Sequence, residues 1–161
     1  MRTKKITAAL ILGALAMGPV APAHADDLAT VTAQLNEIQN KWYPVFDDDL
    51  AKLQAMVTKY GSDKTFLNAI TPIMIDFRDT TARIKANITN PQSFVDGSNQ
   101  VGTIQDLSLY AEEEAGEFQN SIFQLQTLAA TFKTLTCVKG KTVKKVSGIG
   151  VACPKGYVKK K

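Results

Sequence analysis

The chain has 161 residues, 45% of them hydrophobic, with 19 lysines and arginines against 15 aspartates and glutamates and a formal charge of +4. Two cysteines and a single histidine, His24, leave few of the residue types from which nucleophilic triads and His-ligated metal sites are built. The charge is unevenly placed: residues 26–132 carry seven basic and 15 acidic side chains, net −8, whereas residues 133–161 carry nine lysines and no acid, net +9.

Residues 1–25 have the layout of a secretory signal peptide, with Arg2, Lys4 and Lys5 ahead of an apolar run over 6–17, a break at Gly18-Pro19 and Ala23-His24-Ala25 before the expected cleavage point. The apolar run is roughly a dozen residues, short of the roughly 20 that span a bilayer. No cysteine near the junction takes a lipid, and no later segment is long and apolar enough to re-enter a membrane, so a soluble secreted protein without an integral span is expected from Asp26 onward. The leader takes His24 with it. A mature chain without histidine is expected to have no catalytic residues, no bound metal and no cofactor, because no pair among its carboxylates, hydroxyls and lysines has a defined spacing.

The first helical stretch sets Leu28, Val31, Leu35, Ile38, Trp42, Phe46, Leu50, Leu53, Val57 and Tyr60 at steps of three and four, and Gly61 is its natural stop. Pro44 is expected to kink or split it, because proline lacks the N–H and crowds the preceding turn. Asp47-Asp48-Asp49 would then lie in the first turns of a restarted helix, where the macrodipole favours them, rather than in a calcium loop. Trp42 and Tyr43 beside Pro44, with Phe46, are candidates for an aromatic lip, although aromatics at the inward spacing more often fill a core.

Ser62 and Asp63 supply an N-cap and first-turn charge to a second helix with Phe66, Ile70, Ile73, Phe77, Ile84 and Ile88 on one side, bent at Pro72 and ended at Asn90-Pro91. Residues 92–102 form a loop, with its clearest turn at Asp96-Gly97-Ser98. A third helix is expected over about 101–135, where Ile104, Ala111, Ala115, Phe118, Ile122, Leu125, Ala129 and Phe132 alternate at three and four. Its small residues, Ser108, Ala111, Ala115 and Gly116, suit close helix approach or leave room for a ligand. Glu112, Glu113, Glu114 and Glu117 fan around it as a solvated face or as partners for Arg78, Arg83 or Lys85.

The tail reads differently. Thr136, Val138, Thr142, Val143 and Val146 flank Gly140 as a short hairpin. Cys137 and Cys153, spaced neither as C-x-x-C nor as a zinc pattern in an exported chain, are expected to form one disulfide. The fold class is therefore mainly α: an elongated antiparallel three-helix bundle, four if Pro44 breaks the first helix, with a small disulfide-closed β-hairpin tail. The expected divisions are a signal peptide at 1–25, the bundle at 26–135 and the basic tail at 136–161.

The string Thr136-Cys137-Val138-Lys139-Gly140-Lys141, then Lys144-Lys145-Val146, Cys153-Pro154-Lys155-Gly156-Tyr157 and the closing lysines resembles a short C-terminal module that recurs on secreted proteins of Gram-positive actinobacteria. The resemblance covers about 26 of the 161 residues and implies an exported envelope setting without an activity. The helical region resembles no family.

Together these features point to a non-enzymatic, envelope-associated binding or spacer protein. Its expected anion-binding residues are Lys139, Lys141, Lys144, Lys145, Lys155, Lys159, Lys160 and Lys161, and its expected partner is an anionic wall polymer or another polyanion. The tail could instead dock on its own acidic bundle. The alternative function is a soluble exported carrier or sensor with a small ligand in the bundle, near Trp42 or Ser108 to Ala115. Helix seams of this kind also pair between chains, so a homo-oligomer is open.

Overall fold

The computed structural model describes residues 25–160. Residues 1–24, which hold all but the last residue of the expected signal peptide, and Lys161 lie outside the described residues. Helix α1 runs from Ala25–Tyr60, α2 from Lys64–Ile88, a single turn α3 from Gln92–Val95, and α4 from Ile104–Ala130. Three strands follow, β1 Phe132–Lys139, β2 Thr142–Ile149 and β3 Val158–Lys159, in the order β2-β1-β3 with both pairings antiparallel. The protein is thus a mainly helical bundle with a small C-terminal sheet. No helix of the described residues is long and apolar enough to cross a membrane.

The helix α1 passes through Pro44 unbroken. A proline inside a helix costs about 3 kcal/mol through its missing donor and its clash with the preceding turn. Trp42, Phe46, Leu53 and Met56, on both sides of it, are all buried, and each contributes about 1.5–3 kcal/mol on burial. Core packing outweighs the local penalty, and the fourth helix is instead α3, inside the connection expected to be a loop. The same balance carries α2 through Pro72.

The three long helices α1, α2 and α4 pack against one another around a single core. An aromatic series crosses it: Phe46 of α1 meets Phe77 of α2 edge-on with ring centroids 6.1 Å apart, and Phe77 meets Phe118 of α4 at 4.8 Å in a tilted arrangement. Ala111 and Ala115 are buried to within 2% exposure and serve close helix approach, whereas Ser108 is half-buried and Gly116 is exposed with open space beside it. The cap of α2 is Asp63, one residue later than expected, and its carboxylate accepts the Phe66 N–H at 2.9 Å. The start of α4 is a capping box: Thr103 Oγ1 accepts the Asp106 N–H and Asp106 accepts the Thr103 N–H.

The expected third helix ends earlier than its apolar seam. Thr131 caps α4, and Phe132 through Leu135, read as a last helical turn, belong to β1. The run from Thr131 to Val138 alternates with Thr, Cys and Val, which favour strand, and Val143 and Val146 stand opposite it. Gly140 and Lys141 close the hairpin. Gly140 has φ 56° and Lys141 does not have positive φ, the pattern of a two-residue loop with glycine first, whose twist matches the strands. Residues 150–157 then fold back, and β3 adds a third strand that the spacing did not suggest.

Candidate functional site

The basic residues stand on the sheet, and its register sorts them. Residues opposed in an antiparallel pair project to one side, so Lys144 of β2 and Lys159 of β3 flank Cys137 of β1 on the same face, about 10 Å apart across two strand spacings. Lys139 lies two residues along β1 on that face. Lys133, four residues from Cys137 in the other direction, shares that face; it was not among the expected lysines because it was placed in a helix. Lys145 opposes Thr136 on the other face, Lys141 occupies the turn, Lys155 the returning loop, and Lys160 follows β3 with its N–H donated to Thr136 O at 2.8 Å. Lys161 lies outside the described residues. The other nominated lysines are all exposed.

A disulfide holds this surface together. Cys137 and Cys153 are bonded, with Cα atoms 5.6 Å apart, and Cys137 is fully buried beneath the returning loop. Lys144 Nζ lies 5.2 Å from the centroid of Tyr157, so that ring sits under a cation rather than in a core. The stem of Lys139 passes over Gly156, where an added Cβ would lie 3.4 Å from its Nζ.

The bundle's ion pairs all lie within the bundle. Among the described residues the ion pairs are Lys41 with Glu112 at 3.5 Å, Lys52 with Asp48 and Asp49 at 2.6 and 3.1 Å, and Arg78 with Asp79 at 2.9 Å. None includes a tail lysine. Glu112 therefore reaches Lys41 on α1 rather than Arg78, Arg83 or Lys85, and Arg83 stacks over Tyr110. Burial raises the Glu114 carboxyl above its usual range. The aspartates after Pro44 sit in mid-helix, not at a restarted end, and their two side-chain hydrogen bonds raise Lys52. Asp49 itself is buried beside Lys52.

The tail meets the bundle through apolar and neutral contacts plus one carboxylate. Phe132 packs on Tyr60 with centroids 5.4 Å apart, and Tyr60 on Phe66 at 5.2 Å. Ile149, opposite Phe132, packs against the core, and its N–H donates to Asp63 Oδ2 at 3.0 Å. Asp63 thus caps α2 and fastens β2 at once. A cap signal was legible in the chain; its second partner, 86 residues away, was not.

Of the three aromatics around Pro44, Trp42 lies in the core, while Tyr43 and the largely buried Phe46 border a cleft with Leu50, Phe77, Thr81 and Lys85. Ser108 borders a separate shallow cleft between α1 and α4 with Ile38 and Lys41. Among the described residues no three His, Cys, Asp or Glu gather where they could hold a metal ion. Comparison with protein-family models, curated proteins and solved structures finds no match to this chain.

Proposed function

We propose that this protein is exported and held at the cell envelope by its basic sheet, with the acidic helical bundle standing off as a spacer or interaction module. The observation that carries it is the cluster of exposed lysines without a carboxylate partner among the described residues, set on a disulfide-closed scaffold. Charges already paired at home have little left for a partner; these are free to meet anionic groups. Each lysine near an anionic surface contributes about 1 kcal/mol at low salt, so several acting together hold the molecule while any one contributes little.

The bundle, net −8, is repelled by the surface that attracts the tail. That polarity orients the protein with its sheet inward. Helix α1, 36 residues long, extends about 54 Å, which sets the reach of the spacer. The disulfide suits an oxidising compartment.

The test is sedimentation of the oxidised mature protein with isolated cell walls across a salt series, beside a Lys139→Gln, Lys144→Gln, Lys159→Gln form. The expected result is binding that weakens steeply with salt for the parent and is lower, with a flatter salt dependence, for the variant. Identical curves for the two forms would remove the proposal.

A further inference from the structure

The second face of the sheet carries something other than charge. The register sets Val143 of β2 and Val158 of β3 on either side of Val138 of β1, one valine from each strand in a single rung. Val143 is 57% exposed and Val158 66%, and Val138 is half-buried. The rung lies six residues along β1 from Phe132, about 20 Å from the point where the sheet meets the bundle. Lysines surround it: Lys145 projects from the same face two residues past Val143, Lys141 stands in the adjoining turn, and Lys160 follows Val158 by two residues.

We propose that this face docks on the surface of an anionic lipid bilayer, with the three valines entering the boundary between headgroups and acyl chains and the lysines held at the level of the phosphates. The inference rests on the envelope function above and names its partner. A hydrated anionic polymer would be served by the lysines alone and offers no apolar medium for a valine rung. A stable protein partner ordinarily covers roughly 800 Å² on each side, more than one rung of a three-stranded sheet provides. A bilayer interface accepts both components, because shallow apolar burial and attraction to anionic headgroups add. The lysine stems span the depth between them, so the valines enter while the ammonium groups stay in water.

The test uses the oxidised mature protein with vesicles of phosphatidylcholine alone or containing phosphatidylglycerol, and a Val143→Ser, Val158→Ser form. Both side chains are exposed, so the variant is expected to keep the parent's helical circular dichroism and its disulfide. The expected result is selective binding of the parent to phosphatidylglycerol vesicles, partly surviving high salt. The variant's affinity falls about tenfold or more, and its retention on immobilised polyphosphate is unchanged. Equal vesicle affinity of parent and variant, with salt-sensitive retention on polyphosphate, overturns the bilayer inference and leaves the envelope function standing. Absence of binding to vesicles, polyphosphate and walls alike overturns both. A dimer in solution that the two serines dissolve overturns the inference in favour of a second copy as the occupant.

Discussion

Asp63 is the residue on which two parts of the molecule converge. Its Oδ1 accepts the Phe66 N–H at the head of α2 and its Oδ2 accepts the Ile149 N–H at the end of β2. These two backbone donors, Phe66 first, hold its carboxyl below the usual 3.8. A carboxyl whose folded pKa is depressed lends stability that is fully present above its unfolded value and is lost as pH falls through the folded one. Acidification below the ordinary carboxylate range is therefore expected to weaken both the cap of α2 and the tie between sheet and bundle. Gly148 makes the contact sterically possible, because an added Cβ would stand 2.6 Å from Asp63 Oδ2. In Gly148→Ala the Ile149 amide is expected to exchange with solvent about tenfold faster or more, with Phe66 still protected, whereas Asp63→Ala exposes both amides. Amide hydrogen exchange followed residue by residue distinguishes the two patterns.

At the scale of elements, α1 shows a local rule overridden by packing. Pro44 is exposed and removes one backbone bond, yet the buried line on either side of it continues without a break in the helix. Pro44→Ala returns the donor without disturbing a buried contact. It is expected to stabilise the protein by about 1–3 kcal/mol, seen as a higher thermal midpoint with unchanged helical content; a lower midpoint would mean that the proline's geometry is required. At the other end, α4 gives way to β1 at Thr131 although apolar spacing continues into Phe132. There the β-branched run and the pairing of Phe132 with Ile149 decide the outcome, since a strand satisfies its backbone only through a partner.

For the whole molecule, the bundle and the sheet are separable in what holds them. The bundle has an eighteen-residue buried core spread over α1, α2 and α4, while the sheet's one fully buried hydrophobic side chain is Cys137. Closing a loop of 16 residues contributes about 3 kcal/mol on the chain-entropy account, a large share for so small a module. Reduction of Cys137–Cys153 is accordingly expected to abolish amide protection in β1, β2 and β3 while the far-ultraviolet helical signal persists. Loss of both signals together would show that the sheet is integral to the bundle. Because the lysines keep their mutual positions only on a closed sheet, reduction also scatters the surface proposed to meet the envelope.

Much of this architecture was legible in the chain because it depends on neighbours in sequence. Three-four apolar spacing exposed the three long helices and nearly all of their core, from Leu35 to Ala129. Turn chemistry at Gly140 marked the hairpin, and two cysteines left one pairing. The segregation of charge, net −8 against net +9, needs only counting. Tertiary structure decided what depends on residues far apart: the continuity of α1 through Pro44, the start of β1 at Phe132, the third strand, and the tie between Asp63 and Ile149. It also decided the register, which gathers Lys133, Lys139, Lys144 and Lys159 on one face and three valines on the other. Spacing along a strand says which residues share a side of that strand; only pairing between strands says which lysines and which valines stand together.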